Sequence, residues 1–168
     1  MKDILENRNP WDVIGDARAE FEEKIWHTKE GVLCPVCARS SRVVPKRICK
    51  VQAKSLIWLY QNTKPYEFIH FNGTAPRVLV KNAEVGKMKH WGLIEQMPNE
   101  EDPTKLKSGW VRITHAGRAF VEGAEIPKIL YIHLDKCLGE PEEKERATIN
   151  DVLKEDFDIR KIMVEAIG

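Results

Sequence analysis

At 168 residues and 42% apolar composition, the chain has room for one cored domain with appendages or two small ones, and none for a large α/β enzyme. No apolar run approaches the roughly 18 residues that cross a bilayer, and the opening MKDILENRNPWD is charged where a secretory signal is apolar, so a cytoplasmic protein with no membrane partner is expected. The net charge of +1 hides an asymmetry: residues 34–92 hold 11 Lys+Arg against 2 Asp+Glu, whereas residues 1–33, 93–127 and 128–168 hold 5 against 8, 4 against 6 and 7 against 10.

A basic block inside an otherwise acidic chain suits a polyanion, and equally a solvated face or an acidic partner protein. In chain order, Asn9-Pro10 reads as an N-cap followed by a first-turn proline, after which Ile14, Ala17, Phe21 and Ile25 recur at helical spacing. The expected helix ends before Gly31. Its outer face, with Asp16, Glu20, Glu22 and Glu23, is acidic and suits packing or a homodimer contact better than DNA.

The run GVLCPVCARSSRVVPKRIC has short β-prone pieces on either side of Cys34-Pro-Val-Cys37, the layout of a zinc knuckle. One knuckle supplies two donors. His27, seven residues before Cys34, and Cys49, twelve after Cys37, complete a set of one histidine and three cysteines for a structural zinc. Equally plain readings are a reduced pair on a turn and, for Cys49, a place in a core. A thioredoxin-like role lacks the surrounding βαβ pattern, and four cysteines make no disulfide framework.

From Lys50 to Thr63, Val51, Leu56, Ile57, Leu59 and Tyr60 share a helical face, and Lys64-Pro65 ends that helix. Tyr66 to Phe71 alternates as a short strand or an extended lead-in. Asn72 to Pro76 is turn chemistry, with Thr74 a cap for a second helix over Arg77–Lys81, although Val78-Leu79-Val80 also fits a strand. Asn82 then caps a third helix over 83–91 with Val85, Met88 and Trp91 inward, Gly92 closes it, and Leu93-Ile94-Glu95 starts a strand. After the polar stretch PNEEDPTKLKSG, Trp110 to Thr114 alternates as a returning strand before a turn into Ala116–Val121.

The residues KMKHWGLIE and GWVRITHAGRAFV resemble the winged helix-turn-helix superfamily, in which the recognition helix ends in Gly-Leu and the second wing strand runs into a Thr-x-x-Gly turn and another helix. The resemblance covers residues 48–121. It also extends, more faintly, to uncharacterised bacteriophage proteins that pair a Cys-Pro-x-Cys turn with such a module. With the flanking readings, the expected fold is α+β: the winged helix-turn-helix core that the resemblance implies, an N-terminal helix, a candidate zinc knuckle and a C-terminal β-hairpin plus helices.

The resulting division is 1–31 for the helix, 32–47 for the knuckle, 48–124 for the winged helix module and 125–168 for the appendage. In that last part Ile126 to Leu134 and Cys137 to Gly139 read as a hairpin about Asp135-Lys136, with Cys137 as a small buried residue. Thr148 caps a helix carrying Ile149, Val152 and Leu153, and Phe157 to Met163 suggests another.

The resemblance implies duplex DNA as partner, with Asn82, Lys87, Lys89 and His90 reaching base edges or phosphates. Arg42, Lys46, Arg47, Lys50 and Lys54 form a backbone-contacting stripe, and Lys105 and Lys107 lie in the wing. Glu100, Glu101 and Asp102 in the same loop repel phosphate and argue against insertion of the whole wing. A transcriptional regulator is therefore the first expectation. The alternative is a protein interaction module or inhibitor acting on a host or defence protein, since fold does not dictate function. No phosphate-cradling glycine loop, HExxH or Gly-x-Ser-x-Gly occurs and the histidines are scattered at 27, 70, 90, 115 and 133, so no enzyme and no catalytic residue is expected.

Overall fold

A computed structural model describes residues 10–27, 31–82, 85–99, 108–133, 135–141 and 144–154. The protein mixes helix and strand, and the chain forms two compact units, Met1–Pro45 with Tyr131–Leu138 and Lys46–Leu130 with Gly139–Gly168. Residues 1–45 thus fall in one unit with part of the C-terminal hairpin.

In the first unit, helix α1 (Pro10–His27) turns Phe21 and Ile25 inward while Ile14 stays exposed. Strands β1 (Val32–Leu33) and β2 (Ser40–Ser41) pair antiparallel, with Val32 opposite Ser41 and Leu33 opposite Ser40. Strands β3 (Val44–Arg47), β8 (Ile129–His133) and β9 (Lys136–Gly139), whose residues divide between the two units, follow the order β3-β8-β9. Asp135, at φ 63, makes the tight turn between β8 and β9. Cys137 is exposed, not buried as expected, because it lies on the edge strand β9, where Lys136 is also solvated. His133 is buried and meets the Phe21 ring edge-on at 6.3 Å.

The second unit holds the larger core. Helix α2 (Lys50–Asn62) begins at Cys49, whose amide donates to Gln52 Oε1 at 3.0 Å, and buries Ala53, Leu56, Ile57 and Leu59. It ends where Thr63 turns extended and its hydroxyl donates to Leu59 O at 2.6 Å, just ahead of Lys64-Pro65. Strand β4 (Ile69–His70) is shorter than the expected Tyr66–Phe71, and Phe71 opens a single helical turn, α3 (Phe71–Thr74).

Helix α4 (Arg77–Asn82) follows, so Val78-Leu79-Val80 is helical. Thr74 is no cap for it. Its hydroxyl donates back to His70 O at 2.9 Å, and Ala75, extended ahead of Pro76 at ψ 152, separates the two helices. Asn82 is the last residue of α4 and not the cap of a following helix. A 3₁₀ helix (Val85–Trp91) stands where an α-helix over 83–91 was expected, with Val85 and Met88 buried. It carries Gly86 inside and Gly92 at its end, both poor formers of α-helix.

The 3₁₀ helix closes as anticipated at Gly92, whose φ of 68 is left-handed. Gly92 N donates to Lys89 O and Leu93 N to Met88 O, which satisfies the last carbonyls. Strands β5 (Ile94–Gln96) and β6 (Trp110–Ile113) then pair antiparallel, Ile94 opposite Ile113, and β6 pairs on its other side with β4, Ile69 opposite Val111. The sheet order is β4-β6-β5.

Helix α5 (His115–Val121) starts at Thr114, whose Oγ1 accepts from Gly117 N at 3.0 Å and donates to Gly92 O at 2.6 Å. Gly117 lies so close to the Leu93 carbonyl that a Cβ there would sit 2.2 Å from its oxygen. Strands β7 (Ile126–Pro127) and β10 (Arg146–Ala147) pair, and helix α6 (Ile149–Leu153) is capped reciprocally by Thr148 and Asp151. Leu56, Leu59, Met88, Leu93, Ile94, Phe120, Ile149 and Leu153 lie at the centre of this core, each at most 2% exposed. The helix expected over Phe157–Met163 lies outside the described residues.

Candidate nucleic-acid interface

In the second unit the helical segments α4 and 3₁₀ lead directly into the β5–β6 hairpin. Along them lie the cations Arg77 and Lys81, exposed at i, i+4 spacing on α4, and Lys87, Lys89 and His90, half-buried on the 3₁₀ helix. Lys50 and Lys54 are exposed on the first half of α2, with Arg47 exposed and Lys46 half-buried just before it. Arg42, the remaining member of the stripe, is exposed in the first unit. The side chain of Asn82, and Lys105 and Lys107 altogether, lie outside the described residues.

Other basic side chains are structural. Arg112 donates to Glu95 Oε2 at 2.6 Å across the β5–β6 pair and lies 4.7 Å over the Phe68 ring. Arg118 donates to Thr63 O at 2.8 Å and stacks over the Tyr60 ring at 5.1 Å, tying α5 to the end of α2. The Tyr60 hydroxyl donates to Glu122 at 2.8 Å, and that carboxylate raises the tyrosine pKa.

Between the 3₁₀ helix and the sheet is an open cleft of about 330 Å³ whose polar lining includes His70, Lys87, Gln96 and Ser108. The His70 ring meets Trp110 edge-on at 5.7 Å. Neither Arg77, Lys81 nor His70 was singled out from sequence as a contact. For Arg77 and Lys81 the available signal was the pair of cations four apart on a short helix. For His70 there was none, because the cleft is closed by β6, far along the chain.

In the first unit the Cys34–Cys37 turn is well formed: Cys34 N donates to Arg39 O at 2.9 Å and Ala38 N to Cys34 O at 2.8 Å, with Ala38 left-handed at φ 55. Hydrogen bonds from the Cys37 and Val36 amides to the Cys34 sulfur hold that thiol below its ordinary pKa. Cys49 belongs to the second unit, where it is exposed at the start of α2. The His27 side chain lies outside the described residues. Among the described residues, no three His, Cys, Asp or Glu side chains cluster closely enough to hold a metal ion. No helix among them is long and apolar enough to cross a membrane.

No family model, curated protein or solved structure matches the chain.

Proposed function

We propose that the second unit is a winged helix-turn-helix module that binds duplex DNA through the phosphate backbone, as a transcriptional regulator would. The observation that carries this reading is the order helix, strand, three helical segments, strand, strand, with the sheet arranged β4-β6-β5. That is the plan on which a recognition helix runs into a two-stranded wing. The cations from Arg77 to His90 lie on the segment that would enter the groove. Lys87 and Lys89 suit phosphate contact, and residues 83–91 carry no arginine, the side chain that reads guanine bidentately, which argues for weak sequence discrimination by that stretch.

The test is fluorescence anisotropy of the purified protein against random duplex DNA at two salt concentrations. The expected result is micromolar affinity that falls steeply with salt, by roughly 0.9 logarithmic units per neutralised phosphate for each tenfold rise. Replacing Arg77 and Lys81 together by alanine is expected to lower that slope by about 2. Lack of binding at low salt, or binding indifferent to salt, contradicts the reading.

A second reading is an interaction module that binds a host or defence protein. It is favoured by the exposed Tyr66, Val78, Met97 and Trp110 of the second unit. Met97 N donates to Trp110 O at 3.0 Å, so two of these residues stand side by side at the base of the β5–β6 connection. Trp110→Ala that leaves DNA affinity intact while abolishing capture of a defined protein partner would select this reading.

A further inference from the structure

We propose that Cys34 and Cys37 form a redox-responsive pair that closes into a disulfide by exchange with a small-molecule disulfide and reopens on reduction. Strands β1 and β2 hold the ends of the turn together, with Leu33 opposite Ser40. Inside that frame Cys34 N donates to Arg39 O at 2.9 Å and Ala38 N to Cys34 O at 2.8 Å, which reverses the chain between the two cysteines. Such a reversal brings Cα atoms three residues apart to within about 7 Å, and a disulfide spans about 4.4–6.8 Å. The side chains are already together: the Cys37 thiol donates to the Cys34 sulfur, which also accepts from the amides of Cys37 and Val36. The new bond therefore forms between sulfurs that are hydrogen-bonded neighbours in the reduced chain.

The pair is also within reach of a small reagent. Cys37 is exposed and Cys34 partly so, and both border an open groove of about 270 Å³. Exposure sets the order of events. The Cys37 thiolate attacks one sulfur of the incoming disulfide, which releases one thiolate and leaves a mixed disulfide on Cys37. The Cys34 thiolate then attacks the Cys37 sulfur, forming the Cys34–Cys37 bond and expelling the second thiolate. The two cysteines give up two electrons and two protons, and the small disulfide becomes two thiols. Cys49 and Cys137 are exposed as well, but Cys49 starts α2 in the second unit and Cys137 lies on β9, so neither belongs to the turn. Selectivity for Cys34 and Cys37 comes from their proximity and not from exposure. Both cysteines lie in the first unit, so the exchange is independent of the DNA binding proposed for the second.

The experiment equilibrates the reduced full chain, with chelator present, in buffers of graded oxidised to reduced glutathione, quenches in acid, alkylates the free thiols and maps tryptic peptides by mass. Cleavage after Lys29 and Arg39 leaves both cysteines in one peptide, residues 30–39, with Cys49 and Cys137 on others. The expected result is a 30–39 peptide that loses two hydrogens and escapes alkylation as the buffer becomes oxidising, at a ratio where Cys49 and Cys137 are still alkylated. Reductant is expected to restore both thiols. Cys34→Ser is expected to halt the exchange at a glutathione adduct on Cys37, with far-ultraviolet circular dichroism confirming that the variant folds. Should the variant unfold, the peptide map of the intact chain decides alone. A 30–39 peptide joined to the peptide of Cys49 or Cys137, or a glutathione adduct on the intact pair that never resolves, overturns the proposal. So does closure that comes no earlier than oxidation of Cys49 and Cys137.

Discussion

Gly117 and Thr114 fix the junction between the β6 strand and α5. Thr114 binds both Gly117 N and Gly92 O, and a side chain at position 117 would run into the Leu93 carbonyl. Gly117→Ala is expected to destabilise the second unit by about 1–3 kcal/mol, the range for overpacking against a fixed group. Thr114→Ala is expected to cost about 1 kcal/mol for the lost cap. Urea unfolding at fixed pH measures both, and a neutral Gly117→Ala would mean that Leu93 yields. Asp151 makes a separate, pH-dependent contribution: its pKa is lowered by the Thr148 amide first and the Thr148 hydroxyl second. A carboxylate stabilised in the folded state contributes above the ordinary aspartate pKa of about 3.9 and loses that contribution as pH falls through the lower folded value. Wild type and Asp151→Asn are therefore expected to differ in unfolding free energy at pH 6 and to converge towards pH 2. A gap constant across that range would contradict the assignment.

At the scale of elements, what was legible in the sequence was what local chemistry determines. The apolar face of α2, the left-handed glycine closing the 3₁₀ helix, the alternation of β6 and the Thr148 cap each involve residues within four positions of one another. What was not legible depended on distant chain. The contact of Trp91, whose indole donates to Pro127 O at 2.7 Å and ties the 3₁₀ turn to β7, joins residues 36 apart in the chain. Cys137 was expected inside because it is small and apolar, yet burial of a strand residue depends on which strand lies beside it. At the candidate interface, Lys87, Lys89 and His90 come from one run of sequence, while Arg77 and Lys81 stand out through their exposure on α4. A prediction for the core follows at this scale: Met88→Ala, removing a side chain with no exposed surface, is expected to cost about 2–5 kcal/mol and to loosen the 3₁₀ helix. Urea unfolding measures that cost, and an unchanged midpoint would contradict the packing role of Met88.

At the scale of the whole molecule, the basic block and the acidic remainder do not map onto the two units, since Arg39 and Arg42 lie in the first and the other cations of residues 34–92 in the second. Among the described residues, the buried apolar side chains of the main core all fall in the second unit. A fragment from Lys46 to Gly168 is accordingly expected to unfold cooperatively in urea, with a midpoint reported by Trp58 and Trp91 fluorescence. Residues 1–45 alone are expected to stay unfolded, because Ile132 and His133, which are buried in the first unit, are missing. A folded 1–45 peptide by circular dichroism would contradict that division.

The split of the first unit between Met1–Pro45 and Tyr131–Leu138 also bears on how the protein is made. A ribosome delivers the chain from the N-terminus at about 5–20 residues per second. Helix α1 and the Cys34–Cys37 turn therefore leave the tunnel several seconds before the strand that completes their unit. Through that interval Phe21, Ile25 and two thiols wait without their final surroundings, while the intervening segment, Lys46 to Leu130, is still being synthesised. Of the two units, the one begun earlier thus stays open while most of the other is made, with its thiols and apolar side chains still exposed.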